Sequence, residues 1–338
     1  MAFTIINSVK NIKPKPKPPL LTFSFSSYSS KQTISGYDVY RLNGGANITN
    51  SNYTIDVTGG SIIGDTPLTT KRVLIFIVGG GGGSETASST VGDKAAGGGG
   101  GGRVIDTSFN IGHNQTINIS VAGMSLPGSY GNDTSLNYYN TDSAQQTIIA
   151  GGGGYGRINL PGMRPLNSNG GSGAGGGSTE YSSFVNGGQG YWGGNGGQGY
   201  QNYYSGALIS GGGGGAGNGT AIGSGNTTEL GGAGRHGGNG TSFYTNSGYG
   251  GIGRQPLNTT IFGSNYYAGG GGGGSRQTVL GGNGGGANGG VNSTNGGING
   301  TQNTGGGGGG CYAGNYNNGT TQAGSQGGSG IVIVAIPI

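Results

Sequence analysis

Val73-Leu74-Ile75-Phe76-Ile77-Val78-Gly79-Gly80-Gly81-Gly82-Gly83 joins an unbroken apolar stretch directly to a block of glycine. The apolar half offers no polar residue to solvent, so it predicts a strand buried on both faces. The glycine half recurs at 97–102, 151–154, 211–215, 269–274 and 305–310, and glycine makes up 91 of the 338 residues. Ordering a glycine costs roughly 0.5–1 kcal/mol more backbone entropy than ordering an alanine. The blocks are therefore either flexible linkers or a packed structure whose contact surface is the backbone itself.

The residues beside the blocks favour packing. Flexible Gly/Ser linkers bury nothing and avoid bulky side chains. Here apolar strands bracket the blocks, and aromatic residues adjoin them, as in Tyr191-Trp192-Gly193-Gly194 and Tyr266-Tyr267-Ala268-Gly269. A glycine strand in the polyproline II conformation has three residues per turn and no internal hydrogen bonds. Each N–H and C=O is then free to pair with a neighbouring strand.

Outside the blocks, Leu21-Thr22-Phe23-Ser24-Phe25, Tyr37-Asp38-Val39-Tyr40 and Tyr53-Thr54-Ile55-Asp56-Val57 alternate as half-buried strands. Segments 103–111, 116–121 and 147–150 read the same way, with His113 in a turn between the first two. The chain closes on the apolar run Ile331-Val332-Ile333-Val334-Ala335-Ile336-Pro337-Ile338. Amphipathic 3.6-residue periodicity is absent. The expected fold is all-β with irregular structure: a β-sandwich-like strand region, a glycine-rich polyproline II bundle with long loops, and essentially no helix. Composition divides the chain into a Lys/Pro-rich extended arm (1–20), a strand-rich domain (21–150) and the glycine-rich bundle with Tyr/Asn-rich loops and a C-terminal strand (151–338).

Charge and motifs narrow the function. The net charge is +5, but Lys10, Lys13, Lys15 and Lys17 hold four of those charges in an arm without acids, so the body is near neutral. The basic isoelectric point thus describes one short arm, with Lys13, Lys15 and Lys17 as its anchoring candidates, and sequence-specific nucleic-acid binding is not expected. Met1 to Lys13 lacks the apolar stretch of a secretory signal, and no run reaches the ~20 apolar residues of a membrane helix. One cysteine, Cys311, rules out an intrachain disulfide and a cysteine-based zinc site. No lysine follows Lys94, so the Gly-Lys-Ser/Thr of a P-loop is missing. No aspartate follows Asp142, which excludes calcium-binding nonapeptide repeats in the glycine blocks. The ten acids are too dispersed for a paired-carboxylate hydrolase. Neither His113 nor His236 sits in a nucleophile or metal pattern. No enzymatic activity, cofactor or metal is expected.

The distinctive chemistry lies in the loops. Fifteen of the 19 tyrosines follow residue 120, together with the single tryptophan. Tyr/Asn/Ser/Gly loops on a rigid scaffold make amphipathic binding surfaces at low entropy cost. Candidate binding residues are Tyr138, Tyr139, Tyr191, Trp192, Tyr203, Tyr204, Tyr244, Tyr266 and Tyr267. The competing role for each ring is to fold down and cap a thin glycine core.

The order strand–glycine block (73–83), glycine block–Arg103-Val104, Ile117-Asn118-Ile119-Ser120-Val121-Ala122-Gly123, and finally Gly327-Gly328-Ser329-Gly330-Ile331-Val332-Ile333-Val334 resembles the glycine-rich module of viral tail-fibre and appendage proteins, including related proteins of large DNA viruses. The resemblance covers roughly residues 35–338. It implies a bundle of polyproline II strands whose variable loops touch a host receptor, here the aromatic loops, on a protein at the virion surface in a capsid or tail appendage. On that reading the expected partners are other virion proteins, through the N-terminal arm that the sequence itself suggests as an anchor, and a host surface glycan or protein, with the chain present as a homo-oligomer or in multiple copies. The alternative is a self-assembling fibre or coat protein without a receptor. Two departures stand out: the Lys-Pro arm is unlike a domain hung on a long fibre shaft, and the loops match no family sequence.

Overall fold

In the computed structural model, described over residues 21–59, 70–88, 93–112, 114–139, 144–158, 170–179, 184–185, 187–197, 199–202, 207–216, 248–275, 279–291, 296–314 and 320–338, the alternating segments become two five-stranded sheets. The strands in chain order are β1 (Thr22–Phe25), β2 (Ser30–Ile34), β3 (Tyr37–Asn43), β4 (Ser51–Thr58), β5 (Lys71–Val78), β6 (Ala87–Ser88), β7 (Lys94–Ala95), β8 (Val104–Ile111), β9 (Gln115–Val121), β10 (Thr134–Tyr139) and β11 (Gln145–Ala150). They continue with β12 (Ser178–Thr179), β13 (Phe184–Val185), β14 (Gly199–Asn202), β15 (Ala207–Ile209), β16 (Tyr312–Ala313), β17 (Thr321–Gln322) and β18 (Ile331–Pro337). One sheet runs β1-β4-β9-β10-β11 and the other β2-β3-β18-β5-β8, every pair antiparallel. Short strands form three small sheets, β12-β7-β16, β13-β14-β15 and β17-β6.

The two large sheets stack face to face. Ile55, Val57, Ile117, Ile119 and Leu136 of the first meet Leu42, Val73, Ile75, Ile77, Val332 and Val334 of the second in one buried cluster. Two stacked aromatic pairs bridge them, Phe25 on Tyr40 and Phe109 on Tyr138, each with ring centroids 3.9 Å apart. Period-two alternation sends Phe76, Val78, Ile331, Ile333 and Ala335 to the opposite face. There they pack under Ile261, Phe262, Tyr267 and Ala268. The run 73–78 is buried on both sides for this reason, as its composition predicts. The all-β expectation holds: among the described residues there is one helix, the four-residue α1 (Thr259–Phe262). It is capped by Asn258, whose side chain accepts the Ile261 N–H at 3.2 Å, and it lies on this outer face.

The glycine runs extend the sandwich without interruption. β5 passes into 79–83, 97–103 leads into β8, β11 passes into 151–157, and 325–330 leads into β18. Their hydrogen bonds carry a period of three. Gly79 and Gly82 donate to Arg103 and Gly100, Gly80 and Gly83 to Asn132 and Ser129, and Gly81 and Ser84 to Gly328 and Ser325. Three residues per turn with no internal bonds is the signature of polyproline II strands.

The run 97–103 is the hub of this array. Its N–H groups donate in rotation to 151–157, 211–214 and 305–308, and its carbonyls, together with that of Ala96, accept in rotation from 79–82, 172–175 and 271–274. A strand with six hydrogen-bonded neighbours has no room for a Cβ in any direction. A methyl group on Gly97, Gly98, Gly99, Gly100 or Gly101 would land on a neighbouring carbonyl oxygen. Buried serines supply the few side-chain polar groups inside. Ser84 and Ser325 share the Gly309 carbonyl at 2.9 and 2.7 Å, and Ser210 Oγ reaches the Ala96 and Gly274 carbonyls at 2.7 and 2.8 Å.

Candidate functional site

Because the bundle binds its strands through backbone, the segments between the runs are free to carry exposed side chains. Tyr139 is 47% exposed, Tyr191 53%, Trp192 58% and Tyr266 42%. Each sits close to an ordered element. Tyr139 ends β10. Trp192 lies over Arg103 with its ring 4.3 Å from the guanidinium carbon. Arg103 in turn donates from Nη1 to the Ile149 carbonyl at 3.3 Å, and burial lowers its pKa. Tyr191 donates its backbone N–H to Gly171.

The candidates fall into separate settings. Tyr138 is half-buried between the sheets, stacked on Phe109, and desolvation raises its pKa. Its ring joins the sheets together, whereas its neighbour Tyr139 points outward. Tyr191 and Trp192 stand on the bundle beside Arg103. Tyr266 and Tyr267 stand on the outer face of the β3-containing sheet. Tyr267 is only 3% exposed and packs on Phe76, ring centroids 4.9 Å apart, so its ring caps the core and its hydroxyl alone faces a partner, Arg41 Nη1 at 3.5 Å. Tyr203, Tyr204, Tyr244, Lys13, Lys15 and Lys17 lie outside the described residues, as do His113 and His236.

The last pair borders an open cleft that sequence reading did not identify. A cleft of about 510 Å³ lies between β3, the segment 264–267, the turn at 283–285 and the turn at 301–304. Strand alternation places Arg41 on the same face as Val39, opposite Ile333 in the pairing with β18. Asn43 follows on that face. Asn303 adopts a left-handed backbone, φ 59°, which asparagine tolerates better than most residues. Its Oδ1 accepts from Gly45 N at 3.1 Å and Ser329 Oγ at 3.3 Å, and among the described residues its Nδ2 has no acceptor. Among the described residues Arg41 has no carboxylate partner and no Asp or Glu lines the cleft. The signal available in the sequence was a cation on the Tyr37–Val39 face of a strand, followed there by Asn43.

Cys311 is buried, and loss of solvent pushes its thiol up to about 11. Its Sγ donates to the Glu85 carbonyl at 3.1 Å. A thiol so placed is a packing group rather than a nucleophile.

These observations define an all-β scaffold with a backbone-bonded glycine core and aromatic residues mounted on its surface. The chain belongs to the glycine-rich domain family, whose family model matches residues 56–337. No curated protein and no solved structure matches it.

Proposed function

We propose that this chain is a non-enzymatic surface protein of a virion, of the fibre, appendage or capsid-decoration type, which presents aromatic side chains for host attachment. The observation that carries the reading is the exposure of Tyr139, Tyr191, Trp192 and Tyr266 on a mount fixed by backbone hydrogen bonds. Large rings held in place lose little entropy on binding, so they suit attachment. The order of strands and glycine blocks, which resembles that of viral appendage modules, supports the setting.

The test is binding of the labelled full-length protein to a panel of bacterial and protist cells by flow cytometry. Wild type binds at least one cell type, and the combined Tyr191→Ala, Trp192→Ala variant loses most of that binding while keeping its melting temperature. Unchanged binding by the folded variant would sink the aromatic part of the reading, and failure to bind any cell would sink attachment itself.

A self-assembling coat or fibre protein is the second reading, favoured by β11. Among the described residues this edge strand pairs on one side only, with β10, and its residues Gln145-Gln146-Thr147-Ile148-Ile149-Ala150 carry no charge to discourage further pairing. Sedimentation of the full chain separates the two: open-ended growth that a Thr147→Lys change stops identifies assembly.

A further inference from the structure

We infer that the cleft beside Arg41 is a binding site for a saccharide bearing a carboxylate. The inference rests on the attachment reading only for its biological setting, and its chemistry is independent of that reading.

The cleft holds a surplus of hydrogen-bond donors. Arg41 is half-buried and makes one side-chain hydrogen bond among the described residues, the 3.5 Å contact with the Tyr267 hydroxyl. A guanidinium has five N–H donors in a planar fork that matches a carboxylate in bidentate fashion. No acid lines the cleft among the described residues, so within them that demand is left to solvent or to a ligand. The Nδ2 of Asn303 has no acceptor among the described residues, and the side-chain amides of Asn43, Asn265 and Asn283 make no hydrogen bond there either. Amides that both donate and accept suit vicinal hydroxyls, which do the same.

Two further features select a sugar over a bare anion. The half-exposed ring of Tyr266 borders the cleft and offers an apolar face to the C–H side of a pyranose. The volume, about 510 Å³, falls within the roughly 300–1,000 Å³ of small-molecule sites, more than a simple anion fills. Asn303 is held from behind by Gly45 and Ser329, so its donor is already oriented before a ligand arrives.

The experiment is a ligand-observed NMR titration of the full-length protein. The ligands are the methyl glycoside of N-acetylneuraminic acid, methyl glucuronide, neutral methyl glucoside and inorganic phosphate. We expect one or both acidic glycosides to bind at millimolar concentration or tighter, and the neutral glycoside to bind at least about tenfold more weakly, the scale of a lost charge-assisted hydrogen bond. Which acidic glycoside prevails identifies the class of carboxylated sugar. Arg41→Gln should lower the affinity by about tenfold or more. The exposed loop variant Asn265→Ala, which does not touch the core, should also weaken binding if Arg41→Gln fails to fold.

Absence of binding by both acidic glycosides overturns the proposal. So does competition by phosphate as strong as by the glycosides, which identifies a plain anion site. Binding that survives both substitutions places the sugar elsewhere and overturns it too. Cell attachment without saccharide binding removes this site and leaves the attachment reading standing. Saccharide binding without cell attachment does the reverse.

Discussion

At Gly99 a methyl group would land on the carbonyl oxygen of Gly82, and at Gly213 on that of Gly99 itself. Both neighbours are backbone within the bundle, so neither can swing aside as a flexible side chain would. Gly99→Ala should therefore cost about 3 kcal/mol or more in urea unfolding, at or beyond the upper end of ordinary overpacking. Gly112 is the control: a methyl there meets nothing nearer than Thr70 Cγ2 at 3.9 Å, and Gly112→Ala should stay within about 1 kcal/mol of wild type. Equal costs at the two positions would show that the bundle does not depend on bare backbone. Cys311 gives a second residue-scale test. Its thiol titrates in the unfolded chain near 9 and in the folded protein at about 11. Above pH 9 the unfolded state thus releases its proton first, and stability falls as pH rises from 9 to 11. The fall attributable to this thiol is of order 2–3 kcal/mol, and Cys311→Ala should lack it in the difference between the two pH–stability curves. At this scale the sequence was only half readable. Tyr266 and Tyr267 are adjacent and chemically identical, yet one is exposed and the other buried on Phe76. Composition says that such rings either cap or protrude. Only the path of the chain across the outer sheet face says which.

β18 occupies the middle of its sheet, between β3 and β5, although it comes last in the chain. Removing residues 331–338 would open two strand edges and expose Leu42, Ile75 and Ile77 from the shared core. The truncated chain should lose its folded far-UV circular dichroism and become rapidly digestible; a truncated protein that keeps a cooperative melt would show that the sheet closes without it. The existence of this strand was plain from its all-apolar run, as was that of β5. Their pairing was not, because a strand apolar on both faces carries no alternation that fixes its register. The same limit applies to the glycine runs. Bracketing strands and adjoining aromatics mark them as packed, but identical bare backbones hold no side-chain code for which run lies beside which. Arg41 escaped notice for a related reason: its importance comes from the turns at 283–285 and 301–304, which only the folded chain brings to it.

Four strands of the sandwich run on into the bundle, so the two are continuous rather than separately bounded. The pairing of Val78 with Val104 continues as the Gly79–Arg103 and Gly82–Gly100 hydrogen bonds. Trp192, the only tryptophan, reports on the bundle through its stack on Arg103, whereas far-UV circular dichroism reports mainly on the sheets. The two signals should give coincident thermal transitions, the mark of a single cooperative unit. A fluorescence midpoint well below the dichroism midpoint would mean that the bundle unfolds on its own.

The threefold rotation of donors around 97–103 imposes a reading frame on this part of the chain. Deleting one glycine there would turn every later residue of the run by a third of a revolution, handing each N–H to the wrong neighbour. No local repair restores six partners at once. The segments that connect the runs keep no such count. Change in this protein is thus channelled: length and chemistry can drift between the runs, while within them even glycine cannot be gained or lost singly.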